Sequence, residues 1–125
     1  MPYGFPQESW ERAKEEALQV LQERASRRHT QTISYTVLVE SLTAIQINPH
    51  DPRLSSFLEE IVVDEHTSGR PLITVLVVHK TGDQMPGEGF YEISEQLGFE
   101  VANREAFWIQ EFQRTLNYWQ QQANA

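Results

Sequence analysis

The densest polar stretch of the chain, Asp64-Glu65-His66-Thr67-Ser68-Gly69-Arg70, runs into an apolar segment that ends at His79-Lys80. These residue types can do recognisable chemistry. His66 suits a general base, and Arg70 or Lys80 suits the holding of an anion. Glu65, His66, Arg70, His79 and Lys80 line one cleft if the helix end and the strand end fold back together. Against this, His and Arg are favourable at the negative end of any solvated helix. An extended segment between Arg70 and His79 also spans about 25–30 Å at about 3.3 Å per residue, so its ends meet only with help from another element. The solvated terminus is the simpler account, and these five residues stand as candidates for binding while no catalytic set can be named.

Other chemistries fail at particular residues. His29, His50, His66 and His79 show neither close pairing nor a helical i, i+4 spacing, so no metal site is expected, and no cofactor is implied. Glu60, Asp64 and Glu65 fall on one helix face, which acidic surface explains. A strand ending in Lys80 suggests the (Asp/Glu)-x-Lys pattern of restriction-type nucleases, but Val78 stands where the metal-binding acid belongs. Gly82-Asp-Gln-Met-Pro-Gly87-Glu-Gly89 has the glycine spacing of a phosphate loop, yet Glu88 occupies the lysine position and Asp83 adds a second negative charge. Its glycines permit a turn, and Met85-Pro86 offers an apolar contact point for a partner or for the core.

Composition sets the frame. The chain has 125 residues, 39% of them apolar, with three Trp, four Tyr and six Phe, which suits one globular domain over residues 1–125. There is no cysteine, hence no disulfide, thiolate metal site or Cys nucleophile, and a cytoplasmic setting is expected. Met1 to Gln7 shows neither a basic start nor an apolar run, and no segment is apolar for long enough to span a bilayer. The formal net charge is -8. Its excess of acids lies between His29 and Gly98, so nucleic acid is disfavoured as a partner unless a basic patch forms locally.

Period and punctuation then give the elements. Trp10, Ala13, Ala17, Leu18, Leu21 and Ala25 predict a helix from about Gln7 to Arg28. Thr32-Ile33-Ser34 reads as a short strand, followed by a helix from about Tyr35 to Ala44. Asn48-Pro49-His50-Asp51-Pro52 is a break. Asp51 as N-cap and Pro52 at the first helical position open the best-signalled helix, with Leu54, Phe57, Leu58, Ile61 and Val62 inward and Gly69-Arg70-Pro71 as its stop. Leu72-Ile-Thr-Val-Leu-Val-Val78 predicts a strand buried on both faces, with residues 32–35 as its nearest pairing partner. A short helix closed by Gly98 follows. Asn103 then caps a helix bearing Trp108, Phe112, Leu116 and Trp119, with Gln120 to Ala125 expected to fray.

Gly69-Arg-Pro-Leu-Ile-Thr-Val-Leu-Val-Val-His-Lys80 together with Met85-Pro-Gly-Glu-Gly-Phe90 resembles a block found in small bacterial proteins of no assigned function. Ile33-Ser-Tyr35, Asp51-Pro-Arg53, Trp108 and Tyr118-Trp119 fit the same pattern. The resemblance covers most of the chain and implies a family without an activity. The order of elements is also similar to the winged-helix C-terminal domain of the alkylguanine DNA alkyltransferase family. That family has Cys-His-Arg after its third helix, where this chain has Val78-His79-Lys80. The nucleophilic cysteine is absent, which excludes alkyl transfer. For DNA binding the resemblance implies a recognition helix with Arg53 near its start, but it also turns Glu59 and Glu60 toward the phosphates.

The expectation is therefore an α+β protein, predominantly helical, with about five helices around a two- or three-stranded sheet and a winged-helix-like core. We expect a non-catalytic interaction or regulatory module, contacting a protein partner or itself through the aromatic terminal helix. The alternatives are a winged-helix nucleic-acid binder, with Arg12, Lys14, Arg24, Arg27 and Arg28 gathered beside Arg53, and an enzyme working near His66 or His79. Candidate binding residues are Glu65, His66, Arg70, His79, Lys80 and Met85.

Overall fold

The computed structural model describes residues 2–82 and 84–124, so Asp83 and Ala125 of the expectations above lie outside the described residues. Five α-helices and one small sheet are present among them: α1 (Gln7–Ser26), β1 (Ile33–Ser34), α2 (Tyr35–Glu40), α3 (Pro52–Thr67), β2 (Val77–Val78), α4 (Glu88–Gln96) and α5 (Arg104–Ala123). The fold is α+β and predominantly helical. Its sheet has two strands, paired in parallel with Ile33 opposite Val77 and Ser34 opposite Val78. The order of helices alone does not make a winged helix, because this parallel pair is the only sheet among the described residues.

The central segment departs from expectation. Every residue from Leu72 to Val78 is buried, as an apolar run requires, but Ile73–Leu76 is a 3₁₀ turn and only Val77–Val78 is strand. The cause lies in the partner. The Ser34 hydroxyl accepts the N–H of Val37 and starts α2, so β1 has two residues to offer and the ladder can be no longer. The other backbone groups of the run must be satisfied elsewhere. The Leu72 N–H donates to the Glu111 carboxylate at 2.8 Å, and the Val75 carbonyl accepts the Trp108 indole N–H at 3.1 Å.

Around this buried segment the helices pack as their patterns direct. Trp10, Ala13, Ala17, Leu21 and Ala25 of α1 are fully buried and face α5 and the 3₁₀ turn. Arg24 bonds the carbonyls of Thr30 and Thr32, which folds the chain back toward β1. Asp51 caps α3 by accepting the Arg53 N–H at 2.9 Å. Trp10 stands edge-on to Phe57 with ring centroids 5.1 Å apart, an arrangement that adds about 0.5–1.5 kcal/mol to the area it buries.

Two expectations about helix ends are corrected. The helix begun at Tyr35 stops at Glu40 rather than Ala44, and Glu16 reaches across from α1 to accept the N–H groups of Thr43 and Ala44 and the Thr43 hydroxyl. Gln120 to Ala123 are helical rather than frayed, and the Gln120 amide donates to the carbonyls of Ala25 and Arg27. No described helix is long and apolar enough to cross a membrane.

Candidate binding cavity

A cavity of about 530 Å³ opens between α2, α3, the chain after β2 and the start of α4. Leu54, Leu58 and Val62 of α3, with Phe90 and Ile93 of α4, form its apolar wall. Tyr35, Thr74, His79 and Lys80 bring polar groups to it, and Glu59 stands at its acidic side.

Local geometry fixes each of these. Tyr35 is the first residue of α2, immediately after the Ser34 cap, so its ring leaves the helix beside the end of β2. Its hydroxyl accepts the Gly87 N–H at 2.8 Å, and its ring lies 5.1 Å from that of His79, centroid to centroid. His79 is positioned through its backbone, whose N–H donates to the Met85 carbonyl at 3.0 Å. A methyl group at Gly87 would sit 3.3 Å from Tyr35 Oη and 3.5 Å from His79 Nε2. Glycine at this position therefore keeps the phenol and the imidazole facing one open space.

Hydrogen-bonding capacity is left over at this end of the cavity. The Tyr35 hydroxyl accepts but donates to no group among the described residues. Neither the His79 imidazole nor the Lys80 ammonium has a hydrogen-bond or ion-pair partner there. Thr74 is 3% exposed, and its hydroxyl is buried without a partner. Buried polar groups are nearly always satisfied, so such a hydroxyl in a cavity wall is an informative exception. Burial raises the Tyr35 phenol above its ordinary range, so its proton stays in place at neutral pH.

Glu59 differs from the other acids of α3. Burial, and then the neighbouring charge of Glu92, raise its carboxyl above the usual range. Its neighbour Glu60 is engaged instead by the Trp10 indole N–H and by Lys14, which also pairs with Glu11 and Asp64. Glu88, counted against phosphate binding by the loop, turns to Arg104 and pairs with it through two bonds of 2.6 Å.

The six candidate binding residues do not come together: two line the cavity, Met85 packs nearby, and three lie elsewhere. His79 and Lys80 line the cavity. Met85 contributes its carbonyl to the His79 N–H and packs its side chain, half-buried, against the core. Glu65, His66 and Arg70 lie at the other end of the buried segment and do not line the cavity. There Glu65 is 1% exposed and takes two bonds from the Arg70 guanidinium, at 2.7 and 3.1 Å, while His66 stands edge-on to Phe99. This second place is an ion pair between a buried Glu65 and a partly exposed Arg70 that closes the turn after α3. No group of three or more potential metal ligands gathers among the described residues.

Tyr35, Thr74, Glu59 and Gly87 were not among the candidates. Thr74 carried a signal, as the one polar residue within the run Leu72 to Val78. Tyr35 carried none, since an aromatic residue on a helix stripe reads as core. No protein-family model, curated protein or solved structure matches the chain.

Proposed function

We propose that this protein is a non-catalytic binding module whose site is the cavity between α2, α3 and α4. The observation that carries the proposal is the leftover hydrogen-bonding capacity of Tyr35, His79 and Lys80, among the described residues, around one apolar-walled space of about 530 Å³. Cavities of roughly 300–1,000 Å³ with apolar walls and a few convergent polar groups are the usual form of ligand sites. A binding role is favoured over catalysis because, among the described residues, no hydrogen-bond partner orients the His79 imidazole, as one commonly does for a general base.

Four of the six basic residues named for a nucleic-acid surface, Lys14, Arg24, Arg27 and Arg53, are engaged locally. Lys14 pairs with three acids, Arg27 with Glu23, and Arg53 with Asp51 and the Tyr3 carbonyl. Trp108, Phe112 and Trp119 pack against the protein's own core, so the terminal helix gives no argument for self-association.

The test is a backbone amide NMR titration of the whole chain with a panel of small acids, amides, amines and neutral aromatics. Perturbations confined to residues around Tyr35, Thr74, Gly87 and Phe90 are expected from at least one class. A panel that leaves these amides unmoved removes the proposal.

A further inference from the structure

At the Tyr35 end of the cavity the polar side chains without a partner among the described residues can all donate. Of the carboxylates that also line it, Asp51 is paired with Arg53 and Glu88 with Arg104, and Glu59 stands on the opposite, acidic side. Tyr35 offers a hydroxyl proton, Lys80 an ammonium, and His79 a ring N–H in either protonation state. The α4 helix adds to them. Its N-cap is Gly87, which has no side chain to accept the free N–H groups of the first turn, and Gly87, Glu88 and Gly89 all border the cavity. The N-terminus of this nine-residue helix presents partial positive charge to the same space. Donors without acceptors, gathered in one place, define what is missing.

We infer that the ligand of this cavity carries a carboxylate, held by the Tyr35 hydroxyl, the His79 imidazole and the Lys80 ammonium beside the uncapped start of α4. The inference rests on the binding role proposed above and names its ligand class. A planar monoanion suits the charge balance better than a phosphate. Glu59 has no ion-pair partner among the described residues and borders the cavity, with its Oε1 only 3.4 Å from where a side chain on Gly89 would begin. A dianion would meet about twice the repulsion from it that a monoanion meets. The body of the ligand is apolar, to match Leu54, Leu58, Val62, Phe90 and Ile93.

The experiment is an amide NMR titration of the whole chain with three probes that share a phenyl group: 4-phenylbutyrate, 4-phenylbutyramide and phenyl phosphate. Phenylbutyrate should shift the amides of Tyr35, Gly87 and Glu88 and bind about tenfold more tightly than its amide, the effect of one charge-assisted contact. It should also bind more tightly than phenyl phosphate. Lys80→Met, at an exposed position, should weaken phenylbutyrate by about tenfold and leave the amide probe unchanged, whereas Tyr35→Phe, which removes a donor that either probe can use, should weaken both, the acid more. Equal binding of acid and amide within the cavity overturns the carboxylate assignment and leaves the binding role standing, as does tighter binding of the phosphate. An unchanged affinity in Lys80→Met also overturns the assignment. Silence from all three probes at these amides, together with silence across the wider panel, removes the binding role itself.

Discussion

The Glu111 carboxylate accepts the backbone N–H of Leu72 at 2.8 Å, across a sequence separation of 39 residues. Glu111 is 2% exposed and takes two further bonds from Arg114, at 2.9 and 2.6 Å. It serves as the cap that the 3₁₀ turn at Ile73–Leu76 lacks in its own sequence, where Leu72 occupies the cap position. Glu111→Ala leaves a buried N–H without an acceptor and strips Arg114 of its partner, so a loss of about 3 kcal/mol is expected in urea unfolding. Glu111→Gln keeps an acceptor for Leu72 and should cost less. Equal losses in the two variants would show that charge, and not the cap, is what matters.

Thr74→Val tests the unpartnered hydroxyl in the opposite direction. Replacing a buried group that has no hydrogen bond by a similar apolar shape should be neutral or stabilising, by up to about 1 kcal/mol. A loss greater than that, measured by thermal unfolding, means the hydroxyl is satisfied in solution.

Gly87 sits at φ -73, where any residue is comfortable, so its requirement is one of space alone. In Gly87→Ala the added methyl approaches Tyr35 Oη at 3.3 Å, closer than nearly all such contacts. The protein should fold with a small loss of stability, while the amide of residue 87, parted from the phenol, exchanges faster with solvent. Tyr35→Phe should speed exchange at the same amide by removing its acceptor. An amide at 87 that stays protected in both variants contradicts the bond.

Asp51 gives the fold a pH dependence whose sign follows from its partners. Hydrogen bonds from the Arg53 side chain and backbone lower its carboxyl from an ordinary 3.8 to about 2. The unfolded chain therefore binds this proton at a higher pH than the folded one. The contribution is present in full above pH 3.8 and is lost as pH falls toward about 2. Asp51→Asn, which retains a capping oxygen but no charge, should flatten stability across that window. A side-chain NMR titration of Asp51 with a midpoint near 3.8 would contradict the pairing.

Elements that depend on neighbours in sequence are legible in the sequence itself. Asp51-Pro52 and the run of Leu54, Phe57, Leu58, Ile61 and Val62 contain their own start, direction and buried face, and α3 follows them closely. The run Leu72 to Val78 encodes burial but not backbone geometry, because its ladder is limited by Ser34 and its remaining groups are satisfied from α5. The same cause hid half of the site. His79 and Lys80 stood out as polar residues after an apolar run, whereas Tyr35 acquires a role only when Gly87, 52 positions away, donates to it. Glu65 and Glu111 read as surface acids, and an arginine beside each is what allows them inside.

The two-rung ladder between Ile33–Ser34 and Val77–Val78 makes α2 and α3 a single closed excursion of the chain. A polypeptide emerging in order from its N-terminus cannot finish that circuit until Val78 has been made, and it lacks α4 for a further stretch. The segments bordering the cavity are thus assembled late and all together, with no partly built version at an earlier stage. Any occupant would act on the molecule as a clasp, drawing α2, α3 and the start of α4 into the same cooperative unit.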